Sequence, residues 1–185
     1  MPQAKSFWSE AVAAARGVGG LIVGDREVGG RFDLTPQGLA GSFVALLIVM
    51  GVGAGLPLLL GYQGLVLRAV VIFAVSFALQ IGCAALALLQ AKRLDGFVPY
   101  LVADNWASVC VTVAGLVLSL LGVPNEIIGF PVGVLMIIIA VNIGRLIIKL
   151  PPMQVAMFTV AQVVGYLLGG FLVPYLLPAA TAVSS

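Results

Sequence analysis

The chain has 185 residues, of which 62% are hydrophobic and 9% charged, and its net charge is +2. A soluble domain carries about 25% charged residues, so this composition excludes a soluble globular fold, and charges this few and scattered exclude nucleic-acid binding. There is no histidine, which removes the commonest general base, metal ligand and pH switch.

Residues 1–41 precede the first long apolar run. Lys5 is not followed by an uninterrupted apolar stretch or a cleavage site, so no cleavable signal peptide is expected. Residues 6–24, "SFWSEAVAAARGVGGLIVG", are weakly amphipathic, and Phe7, Trp8, Ala11, Val12, Ala15 and Val18 can share a face. Glu10 and Arg16 fall elsewhere. The glycines and Arg16 argue against a span, and the pattern predicts a cytoplasmic, interfacial amphipathic helix lying on the membrane. "GDREVGGRFD" reads as a polar loop. "TPQG" supplies a helix start, with Thr35 as N-cap and Pro36 at the first helical position.

Residues 42–177 hold five apolar stretches long enough to cross about 30 Å of hydrocarbon. They cover about 42–60, 65–90, 98–121, 127–148 and 154–177. Short Gly- and Pro-bearing links, "GYQG", "AKRLDG", "GVPNE" and "LPPM", join them, so sequential helices are expected as antiparallel neighbours. The fold class is an all-α integral membrane protein, a five-helix transmembrane bundle. With the N-terminus inside, eight basic residues fall on the cytoplasmic side and only Arg68 outside. That bias sets the orientation and leaves residues 178–185 as a short exterior tail. The compact layout points to a bacterial inner membrane. No internal repeat is visible, so transporter-type inverted symmetry would need an oligomer.

Residues three or four apart share a helix face. In the third span Asp104, Ser108, Thr112, Gly115 and Ser119 form one polar-and-small stripe. The second span shows Ser76, Gln80, Cys83, Ala87 and Gln90. The fifth shows Thr159, Gln162, Gly165 and Gly169, and the fourth ends with Asn142, Arg145 and Lys149. Lipid offers polar groups no partner, so these stripes face other helices or a wet cavity. Close packing of helices is the simpler explanation of Ser108, Thr112, Gly115 and Ser119, and a solvated path or ligand cavity is the alternative. GxxxG spacings at Gly51/Gly55, Gly129/Gly133 and Gly165/Gly169 permit close helix approach. Pro57, Pro131 and Pro174 invite kinks.

Asp104 lies about 9 Å into the third span, at a depth similar to Arg145. Two readings stand side by side: an Asp104–Arg145 pair, with Asn105 or Asn142 satisfying the remaining lone pairs, or a carboxylate reaching interfacial water while Arg145 snorkels. Trp8, Tyr100, Lys92, Arg93 and Lys149 are expected as interface anchors. Trp106, deeper, is expected to pack inside the bundle. Arg68 and Glu126 are read as independent interfacial charges. Cys83 and Cys110 read as packing residues rather than a disulfide. The acids make no metal-ligand spacing, no cofactor motif occurs, and nothing assembles a catalytic constellation.

Five short-linked spans and "RFDLTPQG" (residues 31–38) resemble the Yip family of five-span membrane proteins, linked in eukaryotes to Rab GTPases and vesicle traffic. Asp33 and Leu34 match the family's Asp-Leu-x-x-Pro element, Pro36 comes one residue early, and the aromatic is missing. The resemblance implies a non-enzymatic membrane organiser. The expected role is a non-catalytic scaffold, assembly factor or accessory subunit, whose partners are membrane lipids and a protein or further copies of the chain. The alternative is an oligomeric small-solute or ion permeation protein, its path lined by Asp104, Ser108, Thr112 and Gln80. A polar cavity along the Asp104 stripe counts against the scaffold, and a groove open sideways to the bilayer would mark a third reading, a lipid-handling protein.

Overall fold

The computed structural model of the protein describes residues 7–59 and 63–176. These residues are almost wholly helical. The six long helices are α1 (Phe7–Val23), α2 (Pro36–Leu59), α3 (Gln63–Gln90), α4 (Phe97–Leu120), α5 (Asn125–Asn142) and α6 (Pro152–Leu176). Among the described residues, α2 to α6 are long and apolar enough to cross a membrane. The architecture is the expected all-α five-span bundle. Residues 178–185, the side chains of Pro57 and Pro174, and Lys5 lie outside what is described.

The helix starts follow local chemistry. Thr35 Oγ1 accepts the Gly38 N–H at 3.3 Å, which caps α2 as its "TPQG" start predicts. The Asp33 carboxylate in turn accepts from Thr35 N at 3.2 Å and from its hydroxyl at 2.6 Å. At their other ends, α3 and the last turn after α5 stop on lysines. Lys92 (φ 55°) and Lys149 (φ 59°) adopt the left-handed conformation that glycine usually supplies.

Sequence neighbours are not the closest partners. The most extensive contact joins α3 to α6, followed by α2 with α4. The α3–α6 seam is built on glycine. A Cβ on Gly165 would meet Gln80 Cα at 2.7 Å, and one on Gly169 would collide with the Ser76 backbone. The other two spacings behave differently: no neighbouring atom lies within 4 Å of a Cβ at Gly51, Gly55, Gly129 or Gly133.

The N-terminal helix is docked, not merely laid alongside. α1 packs on α4 and α5 and buries Ala14, Gly17, Val18, Gly20 and Leu21. Gly17 and Gly20 admit the Phe32 ring and the Val28 and Arg31 side chains. This corrects the expected face. Trp8, Val12 and Ala15 point outward, with Trp8 76% exposed, because the bundle takes up the Ala/Gly side, where backbones approach closely.

At the α1 end, α5 runs into a π-helical turn, Ile143–Ile147. Arg93, expected as an interface anchor, reaches inward to it. Its guanidinium donates to Ile148 O at 2.6 Å and to Lys149 O at 3.4 Å, and pairs with Asp95 at 3.1 Å. Carbonyls at a helix end lack intrahelical donors, and the guanidinium supplies them. Lys92 and Lys149 remain exposed.

Candidate functional site

Three consecutive residues of α4 turn towards three different helices. Successive residues on a helix are rotated by about 100°. Asp104 faces α3, where Gln80 Nε2 donates to its Oδ2 at 3.2 Å. Asn105 faces α2 and donates to Ser42 Oγ at 3.0 Å, and Ser42 passes its own proton to Leu39 O at 2.8 Å. Trp106 faces α1, with its ring 6.3 Å from Phe7. All three side chains are buried.

The expected partners of Asp104 are therefore corrected. Arg145 is exposed and forms no ion pair with Asp104. It lies on the π-helical turn, five residues after Ala140, a spacing that does not share a helix face. Asn105 is committed to Ser42, and Asn142 Nδ2 donates to Leu21 O of α1 at 2.7 Å. The amide that answers the carboxylate is Gln80. Arg68 and Glu126 form no ion pair, as expected of independent charges.

Tyr100 is also corrected. It is fully buried, edge-on to Phe158 at 5.2 Å, rather than placed at an interface. Its hydroxyl makes no hydrogen bond of ordinary geometry. Tyr100 lies one turn before Asp104, and Phe158 one turn before Gln162. The ring pair thus forms a floor beneath those two polar residues.

Above the floor is a cavity of about 530 Å³ between α3, α4, α5 and α6. Its polar wall is Ser76 and Gln80 from α3, Asp104, Ser108 and Thr112 from α4, and Gln162 from α6. The stripes read from helical spacing converge here. The convergence is partial: Gly115 and Ser119 lie beyond it, Gly165 and Gly169 serve the seam, and Cys83, Ala87 and Gln90 line a separate shallow groove against α6. Asn105, Asn142 and Arg145 do not line the cavity. The apolar wall includes Phe73, Phe77, Val111, Met136 and Ala140. Phe73 and Phe77 stack at 5.6 Å.

Spacing on α5 also supplies what the sequence reading missed. Gly129 and Gly133, assigned there to helix approach, line the cavity and leave space in it. Along α4 the cavity runs from Asp104 to Thr112, about 12 Å. Its rim carries exposed residues of α5 (Gly129, Gly133, Ile137) and α6 (Tyr166, Leu167), so it opens between those helices. Gln162 is 4% exposed and its amide nitrogen has no acceptor. Among the described residues no cluster of three or more His, Cys, Asp or Glu could hold a metal, and both cysteines are free.

No protein-family model, curated protein or solved structure matches the chain.

Proposed function

We propose that this protein is a non-catalytic membrane permeation protein for a small solute, which binds in the cavity enclosed by α3, α4, α5 and α6. The observation that supports this reading is the cavity itself. It is lined by hydrogen-bonding side chains from three helices, Ser76 and Gln80 of α3, Asp104, Ser108 and Thr112 of α4 and Gln162 of α6. Polar groups inside a hydrocarbon layer are expensive, and a bundle that only needs to pack has no use for them around empty space. A volume of 530 Å³ falls in the range of about 300–1,000 Å³ typical of small-molecule sites. In this reading the N-terminus is cytoplasmic in a bacterial inner membrane, following the bias of basic residues, and the cavity faces the exterior half.

The test is cysteine accessibility in sealed vesicles, on a background lacking Cys83 and Cys110. Thr112→Cys is expected to react with a membrane-impermeant cationic thiol reagent, and Val102→Cys, fully buried and not part of the cavity wall, is not. Equal reactivity at both positions, or protection of both, would remove the reading.

A second reading keeps the scaffold or accessory-subunit role, with Yip-like kinship. It is favoured by the outer face of α1, where Trp8, Val12 and Val23 are 76%, 51% and 80% exposed. A pull-down from intact membranes that loses a defined partner on Trp8→Ala would support it.

A further inference from the structure

Resting on the permeation reading, we infer that the cavity takes a small, largely apolar organic monocation, an amine or quaternary ammonium compound, with its charge at Asp104 and its body between Phe73, Phe77 and Met136.

The sign follows from the lining. Among the described residues, Asp104 is the only acidic side chain in the cavity wall, and no lysine or arginine lines it. An anion would meet a carboxylate and no compensating charge. A neutral solute would leave the carboxylate with Gln80 alone. A cation supplies the missing opposite charge in a medium that makes such pairing worth more than in water.

The size and polarity of the solute follow from the other walls. Inorganic divalent ions need about six oxygen ligands, and one carboxylate with scattered hydroxyls does not provide them. The stacked Phe73–Phe77 pair presents aromatic surface, and aromatic faces attract organic cations. Val111, Met136 and Ala140 accept hydrocarbon. The rim between α5 and α6 is apolar and exposed, so an amphiphilic cation held in the bilayer has a direct entrance.

The test uses the full chain purified in detergent and titrated calorimetrically with three probes of similar shape: benzyltrimethylammonium, benzyl alcohol and benzoate. Saturable binding of the cation is expected, with binding of the other two at least roughly tenfold weaker, as loss of one charged contact implies. Asp104→Asn is expected to weaken cation binding by about tenfold or more. Ser108→Lys sets a tethered ammonium one turn from Asp104, fills the charge position itself, and is expected to abolish cation binding. If Asp104→Asn does not fold, Ser108→Lys decides alone. Comparable binding of all three probes, absence of saturable cation binding, or unchanged affinity in the folded variants overturns the assignment. Flux of a neutral solute through reconstituted vesicles without cation binding would leave permeation standing and remove the cation. Binding without flux would do the reverse.

Discussion

The two ends of this bundle are built differently. At the α1 end, residues 100–107 of α4 are all buried, and Ile139, Ile143, Ile148 and Phe158 are at most 1% exposed. There the helices are joined by side-chain bonds, Asn105 to Ser42, Asn142 to Leu21 O and Arg93 to Ile148 O. Towards the far end, α4 from Val117 to Leu120 and most of α5 before Ile139 are half-buried or exposed, while the α3–α6 seam stays tight. The polar residues follow this division. Those at the dense end are spent on helix contacts, and those at its border surround the cavity. Where packing is complete, a polar group fixes structure, and where it stops, the same group is free for a solute.

The sharpest way to break that comparison is to place the same bulk on identical motifs. Gly169→Val at the seam must displace the Ser76 backbone. Overpacking of about 2–3 kcal/mol lowers the thermal midpoint in detergent by roughly 4–12 °C. Gly133→Val faces open space and should leave the midpoint within about 2 °C while reducing solute flux. Equal losses would mean that the far end is packed after all.

Gln80→Leu is next in size. It removes the donor to Asp104 and costs about 1–3 kcal/mol, read as a lower midpoint, whereas Arg145→Gln changes stability by less than about 0.5 kcal/mol. The opposite ranking would restore the Asp104–Arg145 pair. Asn142→Ala cuts the tether to α1 at a cost of about 1 kcal/mol. Limited proteolysis should then cleave α1 faster while α3 and α6 stay protected. Lys149→Gly relieves a left-handed lysine and is expected to raise the midpoint by at most about 3 °C.

Spans, their links and the α2 cap were legible because they depend on local length, hydropathy and short-range bonding, as Thr35 and Pro36 illustrate. The cavity wall was partly legible too. Asp104, Ser108 and Thr112 lie one turn apart on one face, and Gln80 and Gln162 share polar faces of their own helices. The partner of Asp104 was not legible, because depth alone cannot distinguish Arg145 from Gln80. The choice depends on which faces of α3 and α5 meet α4, and depth says nothing of that. Nor could "GxxxG" separate Gly165/Gly169, pressed against α3, from Gly129/Gly133, which border empty volume. The pattern specifies a smooth face and says nothing of what lies opposite. The docked face of α1 was missed for a related reason: hydrophobicity favours Trp8 and Val12, whereas close approach favours Ala14, Gly17 and Gly20.

The fan of Asp104, Asn105 and Trp106 restricts how this molecule can move. A helix addressed by three neighbours through three successive residues works like a key with three cuts. Turning α4 by one residue, about 100°, would break the Gln80 and Ser42 bonds and the Phe7 contact at once. α4 is therefore the stator of the bundle. α5 instead carries the two features that bend a helix, Pro131 within it and the π-helical turn at its base.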